Sequence, residues 1–399
     1  MQSIRTLYKV GRGPSSSHTM GPYFASIKVK NQFPEANRFV VTVYNSLALT
    51  GEGHLTYQVI RDTFSPHPVI FQSMIDVARH PNALTFEVYQ DDIKLDTLEV
   101  KSVGGGEIVF NDAKTETILI YPHQTFSEIK AYCVANGLSL YEYVKEMEGA
   151  DIDQFLLLIW NQMKESIQNG LKTTGILPGK LQVVRKAKEL LNKKIEDETD
   201  DIMENRLVSA YAFAVSEENA AGGVIVTAPT CGASGVLPAV LYYMYKKNNL
   251  SDKKMIKALA TAGLIGNIIK HNATISGAVG GCQAEVGSAC SMSAAAHASL
   301  SNMFIEQIEY AAEVAMEHHL GLTCDPIDGY VQIPCIERNA VAAIRAINAS
   351  RIAYFLSDSR KISFDMIVET MYHTGLDMHP KYKETAEAGM AYFYNKGTK

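Results

Sequence analysis

The feature that most constrains this chain is a change of texture near residue 125. Beyond it, segments of helical length and period follow one another and strand signals nearly vanish. The helical candidates are 127–136, 138–169, 182–194, 200–216, 237–247, 252–269, 286–319, 336–355 and 364–373. Breaks fall at Leu177-Pro178-Gly179, Pro229, Pro326 and Pro334. Ser127 with Glu128, and Ser139 with Glu142, read as helix starts, the second as a capping box. Before residue 125 the chain is mixed. Arg38–Tyr44 is β-branched and aromatic, and 83–89, 95–102 and 117–121 are further strand candidates. Residues 20–35 and 54–63 read as helices between strands, and Gly104-Gly105-Gly106 as a turn. The expected fold class is α+β: a small N-terminal α/β domain over 1–125, a linker over 126–150, and a large all-helical domain over 151–399.

Composition excludes several function classes. With 47% hydrophobic and 20% charged residues in 399, the chain has ample apolar surface for packed domains. A net charge of −6 argues against an overall electrostatic grip on nucleic acid or anionic lipid. No stretch approaches the roughly 20 apolar residues of a membrane span. The N-terminus, MQSIRTLYKVGRGPSSSHTMG, lacks the apolar core of a signal peptide. A cytoplasmic protein with reduced thiols is expected, so its six cysteines are too few for a disulfide scaffold and are candidate metal ligands or catalytic groups.

Four glycine-rich polar stretches match neither core nor ordinary surface. GRGPSSSHTMGP (11–22) offers hydroxyls and backbone N–H groups that can bind a carboxylate or phosphate; a polar loop with a helix cap fits equally. NSLALTGEGH (45–54) follows the best strand and presents His54 on a tip, where α/β domains gather ligands. NAAGGVIVTAPTCGASG (219–235) packs Thr227, Thr230, Cys231 and Ser234 among small residues. KHNATISGAVGGCQAEVGSACSMSAAA (270–296) leads to Cys282 and then to a small-residue helix, in which Cys290 reads as a buried apolar residue. Cys133 reads as structural. No dinucleotide or P-loop fingerprint is present.

Cys282, Cys324 and Cys335 are 42 and 11 residues apart, which fits neither paired zinc-ribbon cysteines nor ferredoxin runs. On spacing alone, a metal centre and buried structural thiols both remain open. Three protein ligands would leave one coordination position for chemistry.

Taken together, GPSSSHTMGP, SLALTGEGH, SVGGG, LPGKLQVVRKA, NAAGGVIVTAPT, GCQAEVGSACSMSAAA, EHHLGLTCDP and VQIPCIERNAVAAIRAINASR resemble the bacterial iron–sulfur L-serine dehydratases, in family order over nearly the whole chain. The resemblance implies a β-type domain fused to an all-helical catalytic domain and a homodimer. It implies a [4Fe–4S] cluster on Cys282, Cys324 and Cys335, and conversion of L-serine to pyruvate and ammonia without pyridoxal phosphate. On that reading an exposed iron takes the serine hydroxyl and a histidine removes the Cα proton, His54 being favoured over His18. Ser15, Ser16, Ser17, Thr19, Asn272 and Ser276 are the candidate substrate-binding groups. Three departures stand out. The fused relatives end in a cysteine able to occupy the free iron, whereas this chain ends YNKGTK. Cys231 and Val279 stand where other residues are common, and the chain is shorter than many fused members. The rival readings are a pyridoxal-phosphate dehydratase, for which Lys270 lacks a suitable context, a zinc hydrolase on the three cysteines, and a serine-sensing protein.

Overall fold

A computed structural model describes residues 1–111, 118–356 and 359–397. The N-terminal part runs β1 (Val10–Arg12), α1 (Gly21–Gln32), β2 (Arg38–Tyr44), α2 (Asn45–Thr50), α3 (Thr56–Phe64), β3 (Val69–Met74), β4 (Ala83–Gln90), β5 (Ile93–Gly104) and β6 (Glu107–Phe110). The helical part opens with α4 (Phe126–Asn136), α5 (Leu140–Glu148), α6 (Ile152–Lys172), α7 (Ala187–Asn192), α8 (Asp200–Ala220) and a short strand, β7 (Val224–Val226). It continues with α9 (Val236–Lys247), α10 (Asp252–Asn272), α11 (Gly277–Gly280), α12 (Ser288–Leu300), α13 (Ile305–Glu317), α14 (Cys335–Leu356), α15 (Phe364–Asp377) and α16 (Gly389–Gly397). The fold is α+β, as the texture of the sequence implies.

Five strands form one sheet in the order β3-β2-β4-β5-β6, with β2 and β3 parallel and the other pairs antiparallel. α1 and α3 cover it, burying Ala25, Val29, Ile60 and Phe64 with Phe39, Val41 and Val43 in a core of their own. The helical part is built around α12. Its Ala- and Ser-rich run is buried almost throughout, which lets α9, α10, α13 and α14 approach it closely.

Several boundaries differ from the expectation, each for a local reason. The stretch 126–150, given above as the linker and as largely helical, packs with the helical part. It carries α4 and α5, whose Phe126, Ile129, Leu140, Tyr143 and Val144 enter the helical core. α4 is capped by Thr125 with Glu128, two residues before the Ser127 start read from the sequence, while the Ser139–Glu142 box caps α5. The segment read as one helix over 138–169 breaks at Gly149, whose φ of 86° favours glycine. The segment over 286–319 breaks between α12 and α13. Of 182–194 only Ala187–Asn192 is helical. Thr117 lies outside the described residues, and 118–121 form no strand.

The largest difference concerns the first twenty residues. They form an arm that leaves the sheet domain and embeds in the helical body. Met1, Ile4, Leu7, Tyr8 and Met20 are all 2% exposed or less and belong to the helical core. β1 pairs antiparallel with β7, Val10 opposite Val226 and Arg12 opposite Val224. The Tyr8 hydroxyl donates to the Leu259 carbonyl at 2.8 Å. No described helix is long and apolar enough to cross a membrane.

Candidate active site

The arm delivers the first polar stretch to the junction of the two domains. After Pro14 the chain winds a wide helical turn, Ser16–Met20, that runs straight into α1. Ser15 caps this turn by accepting from the His18 N–H at 3.2 Å. Thr19 points inward and donates to the His54 carbonyl at 2.6 Å, and Thr56 donates to the His18 carbonyl at 2.6 Å. These two bonds tie the serine loop to the tip after β2, and they bring the His18 and His54 rings to a centroid distance of 4.5 Å.

The hydroxyl partners fix the tautomer of each ring. The Thr50 hydroxyl donates its one proton to the Ser46 carbonyl at 2.8 Å, so at 3.0 Å it accepts from His54 Nδ1. His54 therefore carries its proton on Nδ1 and a lone pair on Nε2, and no described residue hydrogen-bonds Nε2. Ser46 donates to the Glu384 carbonyl at 3.2 Å, so His18 Nε2 donates to Ser46 at 2.9 Å and His18 Nδ1 accepts from Ser17 at 2.9 Å. His18 is thus satisfied at both nitrogens, and His54 is free at one. Both rings are 1% exposed or less. Burial lowers His18 to about 4 and pushes His54 well below 6.5, the neighbouring His18 adding to the second shift. Both imidazoles are neutral at pH 7.

His54 and Ser15 form one wall of a cavity; Cys282, Cys324 and Cys335 line another. Cys282 follows α11, Cys335 opens α14 behind Pro334, and Cys324 forms a single bridge to Lys383 in the C-terminal segment. The Cys324 N–H donates to the Tyr382 carbonyl at 2.8 Å and the Glu384 N–H to the Cys324 carbonyl at 2.9 Å. Burial pushes the Cys282 thiol up to about 11, and the Arg338 guanidinium beside it opposes the shift. Burial raises Cys324 and Cys335 further. Three soft donors, Cys282 and Cys324 buried and Cys335 partly so, held as thiols around a shared space suit a group whose positive charge replaces their protons. Among the described residues the three sulfurs do not gather within 4.8 Å of one another.

Three carboxylates complete the cavity. Asp325 is fully engaged: it accepts from Thr323 at 3.0 Å, from Arg338 at 3.4 Å and from the Met390 N–H at 2.7 Å. Arg338 also donates to the Thr323 carbonyl at 2.6 Å. Glu285 and Glu384 are 9% and 6% exposed, and with Cys324 they present ligand atoms within 4.8 Å of one another. Burial raises both carboxyls, Glu285 to about 7.

Of the residues expected from the sequence, the structure unites Ser15, His54 and the three cysteines around the cavity. Ser17, His18 and Thr19 stand behind this wall as supports. Ser16 accepts from the Cys231 N–H at 3.5 Å, which ties the first polar stretch to the third. Ser276 packs against the Gly104 turn and does not line the cavity. Asn272 lies elsewhere. It closes the end of α10, donating to the Gln124 and Ile268 carbonyls at 2.7 and 3.1 Å, beside a separate surface hollow. Sequence reasoning missed Ser46, Thr50, Glu285, Asp325, Arg338 and Glu384. Glu285, Asp325 and Arg338 lie within three residues of a cysteine in the motifs already noted. Nothing local marks Glu384.

Residues 3–63 match the family model for the serine dehydratase beta chain, and residues 105–391 match that for the serine dehydratase alpha chain. The chain belongs to the serine dehydratase family. It is 39% identical to L-serine dehydratase 1 of Escherichia coli (strain K12), over 98% of this chain and 99% of that protein. It is equally similar, 39% over 98% and 99%, to the L-serine dehydratase of Haemophilus influenzae. The Helicobacter pylori (strain J99) L-serine dehydratase is 37% identical over 98% of each chain. In this chain both family segments meet at the cavity: the beta segment brings Ser15 and His54, and the alpha segment brings the cysteines, Arg338 and Glu384.

Proposed function

We propose that this serine dehydratase is an L-serine ammonia-lyase that eliminates water from L-serine to give pyruvate and ammonia. The observation that carries the reading is His54: a neutral imidazole, unprotonated at Nε2, that lines the same cavity as three cysteine thiols. A [4Fe–4S] cluster would be held by Cys282, Cys324 and Cys335, and when bound it supplies an iron with an open position, a Lewis acid for the serine hydroxyl. The remaining work falls to the chain. His54 Nε2 takes the Cα proton, and the Nδ1–H bond to Thr50 holds the ring at the angle this requires. His18, fixed at both nitrogens, packs against His54 and keeps it from turning. Ser15 presents a hydroxyl for the substrate carboxylate. The walls from both domains exclude bulk water, which strengthens each of these contacts. No lysine is among the residues lining the cavity, and a pyridoxal Schiff base would need one. The names of the relatives, all L-serine dehydratases, support the substrate. The reading extends to a cytoplasmic homodimer, which the mass in solution tests.

The deciding experiment is anaerobic reconstitution with iron and sulfide, followed by a pyruvate assay with L-serine. The expected result is broad absorption bleached by dithionite, about four irons per chain, and pyruvate formation. Pyruvate formed by iron-free protein would refute the cluster assignment.

A further inference from the structure

The reading above leaves one group of the substrate without a partner. An amino acid carries a carboxylate, a hydroxyl and an ammonium. The ammonium needs acceptors, and the cavity offers Glu384 Oε2, which has no partner, beside Glu285, whose Oε2 is approached by the Cys324 thiol at 4.0 Å. We propose that Glu285 and Glu384 together bind the α-ammonium of the amino-acid substrate, Glu384 being supplied by the C-terminal segment. The inference rests on the L-serine reading and adds the basis of its selectivity.

Four observations carry it. First, Glu384 is 6% exposed, and its Oε2 has no hydrogen-bond partner. A buried carboxyl oxygen left without a partner is costly, and a ligand that donates to it relieves that cost. Second, no Lys or Arg among the described residues pairs with Glu285 or Glu384. Arg338, the guanidinium of this cavity, is committed to Asp325 and the Thr323 carbonyl. Two adjacent carboxylates with no cation form a site complementary to one.

Third, the spacing fits nitrogen. Oxygens of the two carboxylates lie within 4.8 Å of each other. One ammonium with charge-assisted bonds of about 2.8 Å bridges oxygens up to about 5.6 Å apart. Fourth, the backbone is arranged to hold them there. Glu384 adopts φ 57°, a left-handed conformation unfavourable for a residue with a side chain. It is pinned by its N–H to the Cys324 carbonyl and by the Ser46 hydroxyl on its own carbonyl. Beneath the pair, a Cβ at Gly277 would stand 2.6 Å from Glu285 Oε2 and 3.2 Å from the Glu384 carboxyl carbon, so only glycine leaves room for both. Ser46 joins this arrangement to His18, so the two carboxylates and the histidine wall are positioned together.

The test compares L-serine with L-glycerate, which carries a hydroxyl in place of the ammonium. Binding of each is measured by anaerobic calorimetry on reconstituted His54→Ala protein, with and without Glu384→Gln, and iron is assayed in the same samples. The expected result is a loss of roughly 10- to 100-fold in L-serine affinity, a change of less than about threefold for L-glycerate, and unchanged iron. Equal losses for both ligands, no loss for either, or loss of iron would each overturn the proposal, the last by making Glu384 a metal ligand. If Glu384→Gln does not fold, Glu285→Gln carries the same comparison with the same criteria. Wild-type enzyme that forms no pyruvate from L-serine sinks the underlying reading and this one with it. Pyruvate from wild type, together with unaltered L-serine binding in the variant, sinks this one alone.

Discussion

The N-terminal arm delivers Ser15 to the cavity and His18 to its supporting wall, and its anchorage can be tested by a double-mutant cycle. Leu7 is 1% exposed and packs on α10, where a Cβ on Gly266 would come within 2.6 Å of Leu7 Cδ2 and 2.8 Å of Met292 Sδ. Leu7→Ala removes buried carbon and leaves a cavity, at a cost of about 2–5 kcal/mol. Gly266→Ala alone gains about 1 kcal/mol of helix propensity and loses about 1–3 kcal/mol to overpacking, so it is neutral to destabilising. In the Leu7→Ala background the δ carbon is gone. The new methyl fills part of the cavity, and the propensity gain is kept. The double variant should therefore be about 1–3 kcal/mol more stable than the sum of the single changes. Urea unfolding followed by the fluorescence of Trp160, the one tryptophan and fully buried in the same core, reads this directly. Strict additivity, or a Leu7→Ala cost below about 1 kcal/mol, would mean that the arm is not packed into the helical body and that its route to the cavity is wrong.

Other expectations follow from the site. His54→Ala should abolish pyruvate formation while iron content and cluster absorption stay at wild-type levels; retained turnover would remove His54 as the base. Cys324→Ala should lose iron and activity together, and a full iron complement in that variant would dismiss Cys324 as a ligand. The acid limb of kcat/KM should lie below the ordinary histidine value. A base titrating at 6.5 would lower kcat/KM about thirtyfold at pH 5, and the buried His54 should fall well short of that in an anaerobic pH profile. His297 is 7% exposed and burial lowers it to about 4. Folded protein then binds fewer protons at this residue than unfolded protein between pH 4 and 6.5, so the contribution is present above that window and is lost as the pH falls through it. About 3 kcal/mol is at stake, and urea midpoints of His297→Gln should be correspondingly less sensitive to acid than those of wild type.

Much of the fold is written locally. Arg38–Tyr44 alternates as a strand and is one; Ser139 and Glu142 cap a helix as their spacing requires; the all-small run of α12 is the centre of the helical body. The errors share a cause. Helix ends set by a glycine with positive φ, as at Gly149, leave the apolar period unbroken on either side, so periodicity reads through them. β1 and β7 are three residues each and exist only because they pair across more than two hundred positions. The arm looks like a polar leader because its few apolar residues, Met1, Ile4, Leu7 and Tyr8, are buried singly into grooves on another domain.

For the site, the sequence alone determined the chemical inventory: a hydroxyl-rich loop with a histidine, a second histidine after the best strand, and three cysteines outside any zinc spacing. Side-chain chemistry is a property of residue type, and it survives without coordinates. What only the tertiary structure decided is which of these groups are available. Thr50 and Ser46, unremarked in the sequence, spend their single protons on backbone carbonyls and thereby leave the lone pair on His54 Nε2 while saturating His18. Asn272, polar and well placed along the chain, is drawn off to cap α10. Glu384 enters from a segment sixty residues past the nearest cavity cysteine but one, Cys324, because one pair of backbone hydrogen bonds lays that segment beside it. Hydrogen bonds are exclusive and burial is collective, so both are settled only when distant parts of the chain meet.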